Sequence, residues 1–314
     1  MGGPDADVGL NASGGVNGVN GVSGFRGAGL VSDMLLIGCD FSSRPTRRKP
    51  IVIAHGALHN GRVQLSKLQR IESAEGFDDW LAEPRQWVGA FDFPFGLPRE
   101  LVSHLGWPLQ WLPCINHYAS LSRQEIRDIF AAFCNARPKG QKFAHRATDI
   151  PARASPSMKW VNPPVAYMLH AGVPALLRAG VHLPGLHAGD PADRHAEAQP
   201  NRVAVEGYPG LLARDILGTT SYKSDETAKQ TPQRLIARKD LITALEHGQT
   251  RLALRLKLTH AQRDALTDDA SGDSLDAVLC LMLAAWAQAQ HLKGAENYGL
   301  PPAMDPLEGW IIAA

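Results

Sequence analysis

Paired cysteines are missing from this chain. Cys39, Cys114, Cys134 and Cys280 lie too far apart for a CxxC metal or redox motif. With Cys39 and Cys280 inside apolar runs, the expectation is buried free thiols in a reducing compartment. Long hydrophobic runs are missing too: no stretch approaches the ~20 apolar residues that a membrane-spanning helix needs. The N-terminus has neither the basic region nor the apolar region of a secretory signal. These absences predict a cytoplasmic protein with no membrane partner. Charge of one sign is not in excess, since 32 Lys and Arg face 31 Asp and Glu for a formal net charge of +1. Any nucleic-acid surface therefore has to be local. Ser155 and Ser157 sit in no GxSxG elbow, which removes the usual serine-hydrolase signature.

A core is what the chain has. Its 314 residues are 44% hydrophobic and 20% charged, ordinary for one large globular domain with insertions or for two domains. Residues 1–32 are dominated by Gly, Asn, Ser and Val. Such a composition cannot bury enough apolar surface to offset its ordering entropy, so a disordered tail is expected before a domain spanning 33–314. Met34 to Asp40 is a continuous apolar run ending in an acid, the pattern of a buried strand. Strands are also expected at Ile51–Ala54 and, after the Asn60-Gly61 turn signal, at Arg62–Ile71. Three strands in succession predict an antiparallel meander. A short helix at Gly76–Leu81 precedes a fourth strand, Trp87 to Asp92. Residues from about 100 to 200 are rich in Pro, His and Arg and predict a largely helical insertion, with helices at Arg123–Asn135 and Pro164–Ala179. Arg202–Glu206 is a fifth strand. Helices follow at Thr231–His247 and from Asp273 to about Ala289.

The chemistry-bearing pattern is acidic. Asp40, Asp92 and Glu206 each close an apolar strand, where a charge is costly unless paired or bound to metal. A lone strand-ending acid often just begins a turn. Three point to a site, because the carboxyl ends of parallel strands in an open α/β sheet face a common crevice. Asp273 and Asp276 lie three apart, so both project from one side of a helix's first turn. Both are also good helix-starting residues, Asp273 as an N-cap and Asp276 against the helix dipole. Carboxylates gathered without His or Cys favour a hard cation, Mg²⁺ or Mn²⁺. Phosphodiester hydrolysis is the reaction best served, by two ions ~4 Å apart. The candidate catalytic residues are Asp40, Asp92, Glu206 and Asp276, and the candidate metal ligands are Asp40, Asp92, Asp273 and Asp276. Arg44, Arg47, Arg48 and Lys49 follow directly after Asp40, placed either to hold nucleic-acid phosphates or as a solvated turn. A second basic stretch, Lys139, Lys142, His145, Arg146, Arg153 and Lys159, is expected to form a loop, either a flap over the substrate or a plain connection. Trp107 and Trp111 are expected in packing rather than in base stacking.

Four of these segments resemble the DUF429 family of predicted ribonuclease H-like nucleases: Ile37 to Asp40, Ala90 to Pro98, Val203 to Pro209 and Asp273 to Val278. The Asp-x-Pro-x-Gly-Leu-Pro stretch beginning at Asp92 is the most specific of them. The resemblance implies a ribonuclease H-like mixed sheet of five strands flanked by helices. In it the first three strands are antiparallel, and those ending in Asp40, Asp92 and Glu206 are mutually parallel. It also implies that Asp40, Asp92 and Asp276 are metal-site carboxylates. A non-catalytic ribonuclease H-like module that binds nucleic acid or a protein partner is the alternative. An actin-like kinase would need Gly-rich phosphate loops after the first and fourth strands. Phe41-Ser-Ser-Arg-Pro45 and Phe93-Pro-Phe-Gly-Leu-Pro98 stand there instead.

Overall fold

The computed structural model describes residues 1–2, 31–194 and 199–314. Residues 3–30, most of the segment whose composition predicts a tail, lie outside the described residues. Strands β1 (Val31–Asp40), β2 (Ile51–His59) and β3 (Arg62–Ile71) form the antiparallel meander. Asn60 and Gly61, at φ 50° and 74°, make the tight turn between β2 and β3. Positive φ at both positions is what the Asn-Gly pair tolerates at low cost. On the other side of β1, β4 (Trp87–Phe91) and then β5 (Arg202–Glu206) add in parallel.

The sheet has six strands, not five, in the order β5-β4-β1-β2-β3-β6. The additional strand, β6 (Arg255–Lys257), runs parallel to β3 and carries one buried side chain, Leu256, between two exposed basic residues. Three residues with a single apolar position carry no readable alternation, so the pattern that marked the other strands is missing there.

Helices cover both faces. Between β3 and β4 lies α1 (Ala74–Ala82). Between β4 and β5 come α2 (Arg99–His104), α3 (Trp111–Ser120), α4 (Arg123–Asn135), α5 (Asp149–Ala152) and α6 (Val165–Arg178). The start of α4 is set by a capping box, in which Ser122 and Glu125 satisfy each other's backbone N–H groups. After β5 follow α7 (Pro209–Leu217), α8 (Pro232–His247), α9 (His260–Asp268) and α10 (Asp273–Leu292).

Strand alternation sorts side chains between the two layers. Leu36, Val52, Ala54, Val88, Ala90, Val203 and Val205 pack toward α7, α8 and α10. Ile37, Cys39, Ile53, Trp87, Phe91 and Ala204 face α1 and the helical insertion, including Trp111, Phe130 and Leu169. The insertion thus supplies one layer of the core. Trp111 is buried there and donates its indole N–H to the Phe95 carbonyl at 2.7 Å.

By length and composition α10 could cross a membrane, but 78% of its apolar window is buried inside the protein. It approaches β1 closely because Gly38 has no side chain. A Cβ there would stand 2.0 Å from the Ala277 carbonyl oxygen and 2.1 Å from the Leu281 nitrogen. That close contact fixes the height of α10's first turn against the end of β1.

Candidate metal centre

Asp40, Asp92 and Asp276 converge, each offering a carboxylate oxygen so that the three lie within 4.8 Å of one another. Their positions follow from the alternation. Leu36, Gly38 and Asp40 share the α10 face of β1, and Val88, Ala90 and Asp92 continue the same face from β4. Parallel pairing of β1 with β4 brings the two strand ends level, and the Asp92 N–H donates to the Cys39 carbonyl at 2.9 Å. Asp276, in the first turn of α10, comes down onto them where Gly38 admits the helix. Asp276 is fully buried, Asp40 nearly so, and Asp92 half-buried.

Hydrogen bonding separates the three acids. Among the described residues no hydrogen bond reaches the Asp40 or Asp92 carboxylate, whereas Asp276 accepts from the Tyr222 hydroxyl and from the Lys223 ammonium. Burial first, and then the Asp276 carboxylate, push Asp40 well above the usual carboxylate range, against the opposing pull of Lys223. The same causes push Asp92 up to about 7. Burial disfavours charge on Lys223, but Asp276 outweighs it and holds the ammonium well above its ordinary value. Arg238, buried in α8, anchors the Tyr222 backbone by donating to its carbonyl at 2.8 Å, and donates to the Thr267 carbonyl at 2.7 Å.

The other two candidate acids are engaged elsewhere. Asp273 shares the first turn of α10 with Asp276, yet its carboxylate accepts from the Lys49 ammonium at 2.7 Å, and Lys49 also reaches Asp225 at 3.1 Å. Asp273 therefore adjoins the three acids, close enough to raise Asp40, without joining the group within 4.8 Å. Glu206 lies on the opposite face of the sheet. It pairs in register with Phe91, whose side chain points into the insertion layer, while Asp92 is one residue further on. Arg146 grips Glu206 through two bonds of 2.6 and 2.8 Å and Asp149 through two of 2.9 and 3.1 Å, all of it buried. The expectation that Glu206 joins the carboxylate site is corrected by this one-residue parity. Of the basic stretch from Lys139 to Lys159, Arg146 is a core residue, and its pair with Glu206 borders the cavity beside the three acids.

Tyr222, Lys223 and Arg146 carried no motif. Only the Arg146-x-x-Asp149 spacing hinted at a local pair. Of the basic turn after β1, Arg44, Arg47 and Arg48 are exposed, and Lys49 is half-buried in its acidic pairing. The four cysteines are buried and free. His55 and His59 have the spacing of a helical zinc pair but lie on β2, where four residues span about 13 Å. His55 instead hydrogen-bonds Gln69 at 3.1 Å.

The donor set is three carboxylates with no imidazole or thiolate ligand among them, which suits a hard divalent cation such as Mg²⁺ or Mn²⁺. Comparison with protein-family models, with curated proteins and with solved structures finds no match for this chain.

Proposed function

We propose that the chain is a ribonuclease H-like hydrolase of phosphodiesters that uses a divalent cation, Mg²⁺ or Mn²⁺, held by Asp40, Asp92 and Asp276. The observation that carries this reading is the convergence of three buried carboxylates from three separate elements, two of them without a hydrogen-bond donor. Buried like charges so arranged are costly unless a cation joins them. The likeness to ribonuclease H is supported by the antiparallel β1, β2 and β3 together with the mutually parallel β1, β4 and β5.

When bound, the cation would supply positive charge against the negative charge that grows on a phosphoryl oxygen during the displacement. The chain's own residues do the rest. Asp40 and Asp92 give the site its affinity for a hard cation. Tyr222 orients the Asp276 carboxylate, and the Lys223 ammonium would supply a second positive charge beside the reacting phosphate. Lys49 neutralises Asp273, which leaves three acids for one cation. The exposed Arg44, Arg47 and Arg48, next to the end of β1, would steer nucleic-acid phosphates toward the site.

One observation favours the second reading, a non-catalytic ribonuclease H-like module: Lys223 already forms an ion pair with Asp276. Mn²⁺ titration followed by paramagnetic resonance, beside cleavage assays on single-stranded, duplex and hybrid substrates, separates the two. The hydrolase reading expects Mn²⁺ binding and Mn²⁺-dependent cleavage. Asp40→Asn should lower both by at least about 100-fold, beyond the ~10–100-fold that outer partners of a metal site contribute, with the melting temperature held or raised. A wild-type protein that binds no Mn²⁺ would leave the module reading. So would an Asp40→Asn protein that melts far lower while Mn²⁺ raises both melts equally.

A further inference from the structure

Beside the carboxylates a cavity of about 420 Å³ opens between the ends of β4 and β5, the start of α7 and the helical insertion. Its volume is within the ~300–1,000 Å³ of pockets that bury small ligands. Asp92, Asp276 and Lys223 line one end, so a molecule seated in the cavity touches the carboxylate site itself. Phe93, Pro94, Val165, Met168, Tyr208 and Ile311 make much of the remaining wall apolar, and the buried pair of Arg146 and Glu206, each charge already held by the other, borders it as well. Val165 and Met168 come from one face of α6, three residues apart, and place the insertion directly opposite the sheet's carboxyl edge. At the rim the Thr219 and Thr220 side chains are exposed, and their hydroxyls make no hydrogen bond among the described residues. Both can donate and accept.

We propose that this cavity receives an unpaired nucleoside adjoining the phosphodiester, so that the substrate is a single strand or an extruded nucleotide and not an intact duplex. The proposal rests on the phosphodiester reading of the carboxylates. A nucleobase presents two apolar faces and an edge of donors and acceptors, which is the complement of apolar walls with free hydroxyls at the rim. A paired base is covered on both faces by its neighbours and cannot enter a concavity walled by two layers of the fold. It has to be unstacked first. The phosphate of the same nucleotide then lies at the end of the cavity lined by Asp92, Asp276 and Lys223.

The test is calorimetry on the full chain with Mn²⁺, using a nucleoside monophosphate and, as the baseless probe, ribose 5-phosphate. Single strand and duplex are compared by cleavage in parallel. The nucleoside monophosphate should bind at least 10-fold more tightly than ribose 5-phosphate, and single strands should be cut at least 10-fold faster than duplex. Met168→Trp, which fills the cavity from a half-buried position, should erase the affinity difference and leave Mn²⁺ affinity unchanged. Val165→Trp, from the same helix face, serves as the second variant if Met168→Trp lowers the melting temperature. Equal affinity for the two probes, or a preference that survives a folded Trp variant, overturns the proposal. Mn²⁺ binding without nucleoside preference removes the pocket and keeps the metal centre. Nucleoside preference without Mn²⁺ binding keeps the pocket and removes the hydrolase.

Discussion

Two buried clusters of acids stand at the same edge of the sheet, on its opposite faces, and they are built differently. In one, Glu206 and Asp149 share the guanidinium of Arg146, and Glu206 also accepts the Phe95 N–H at 2.9 Å. Arg146 is about 1% exposed. Burial disfavours its charge, but Glu206 and Asp149 outweigh that and hold it above its ordinary value. In the other, Asp40 and Asp92 have no hydrogen-bond donor among the described residues, Lys223 is bonded to Asp276 and partly exposed, and Lys49 is bonded to Asp273. The first cluster is closed, each acid having its partner inside the protein. The second is open, with more negative charge than its own residues neutralise. A buried acid by itself says little. Which partner it holds, and whether that partner can move, separates scaffold from site.

The comparison breaks most sharply at Arg146. Arg146→Met should leave two buried carboxylates without a partner and cost about 3–5 kcal/mol of stability, read from denaturant unfolding. A loss under about 1 kcal/mol would mean that the closed cluster is no more structural than the open one. Gly38→Ala should come next. Its Cβ would meet the α10 backbone at 2.0 Å, and overpacking of that kind costs about 1–3 kcal/mol. Because the same contact sets the height of Asp276, Mn²⁺ affinity should fall with stability. Lost stability with unchanged Mn²⁺ affinity would uncouple the helix approach from the site.

The third effect is on pH. Asp92 is raised in the folded protein to about 7 from its ordinary 3.8, so between those values the folded state binds the extra proton. Stability of the metal-free protein therefore falls as pH rises through that window, and the raised Asp40 adds to the decline. Melting temperatures in EDTA should show this decline, and Asp92→Asn should lessen it. An unchanged slope in the variant would assign the titration to another group.

The smallest effect belongs to Lys223→Met. A partly exposed ammonium contributes about 1 kcal/mol at most, so the melt should drop slightly. Mn²⁺ should bind at least as tightly, because a competing cation has gone. If Mn²⁺ binding weakens instead, Lys223 is a fixed part of the scaffold and the two clusters are alike.

Much of the architecture was legible beforehand. Met34 to Asp40 and Arg202 to Glu206 are apolar runs of strand length with clear ends, and Arg62 to Ile71 was marked by the Asn60-Gly61 turn before it. The helix expected at Arg123–Asn135 takes those bounds. Asp40, Asp92 and Asp276 stood out because each interrupts or caps an apolar segment. Glu206 had the same signature and a different fate. Arg202–Glu206 is buried on both faces, so the run contains no polar alternation to tell which face its last residue takes. β6 was invisible for the opposite reason, since one buried Leu between two basic residues is no pattern at all.

Local chain chemistry marked five of the six strands, several of the helices and the acids that end or begin them, because turn residues, caps and apolar spacing act within a few residues. The strand expected to end at Ala54 runs on to His59. Tertiary structure decided which acids meet. The parallel register of β1 with β4 and the close seat of α10 on Gly38 gather Asp40, Asp92 and Asp276. The two-residue period of β5 sends Glu206 to Arg146, 60 residues away in sequence. Lys223 reaches Asp276 from a loop 53 residues distant, a meeting that depends on the packing of that loop against α10 on one face of the sheet and on nothing within either segment.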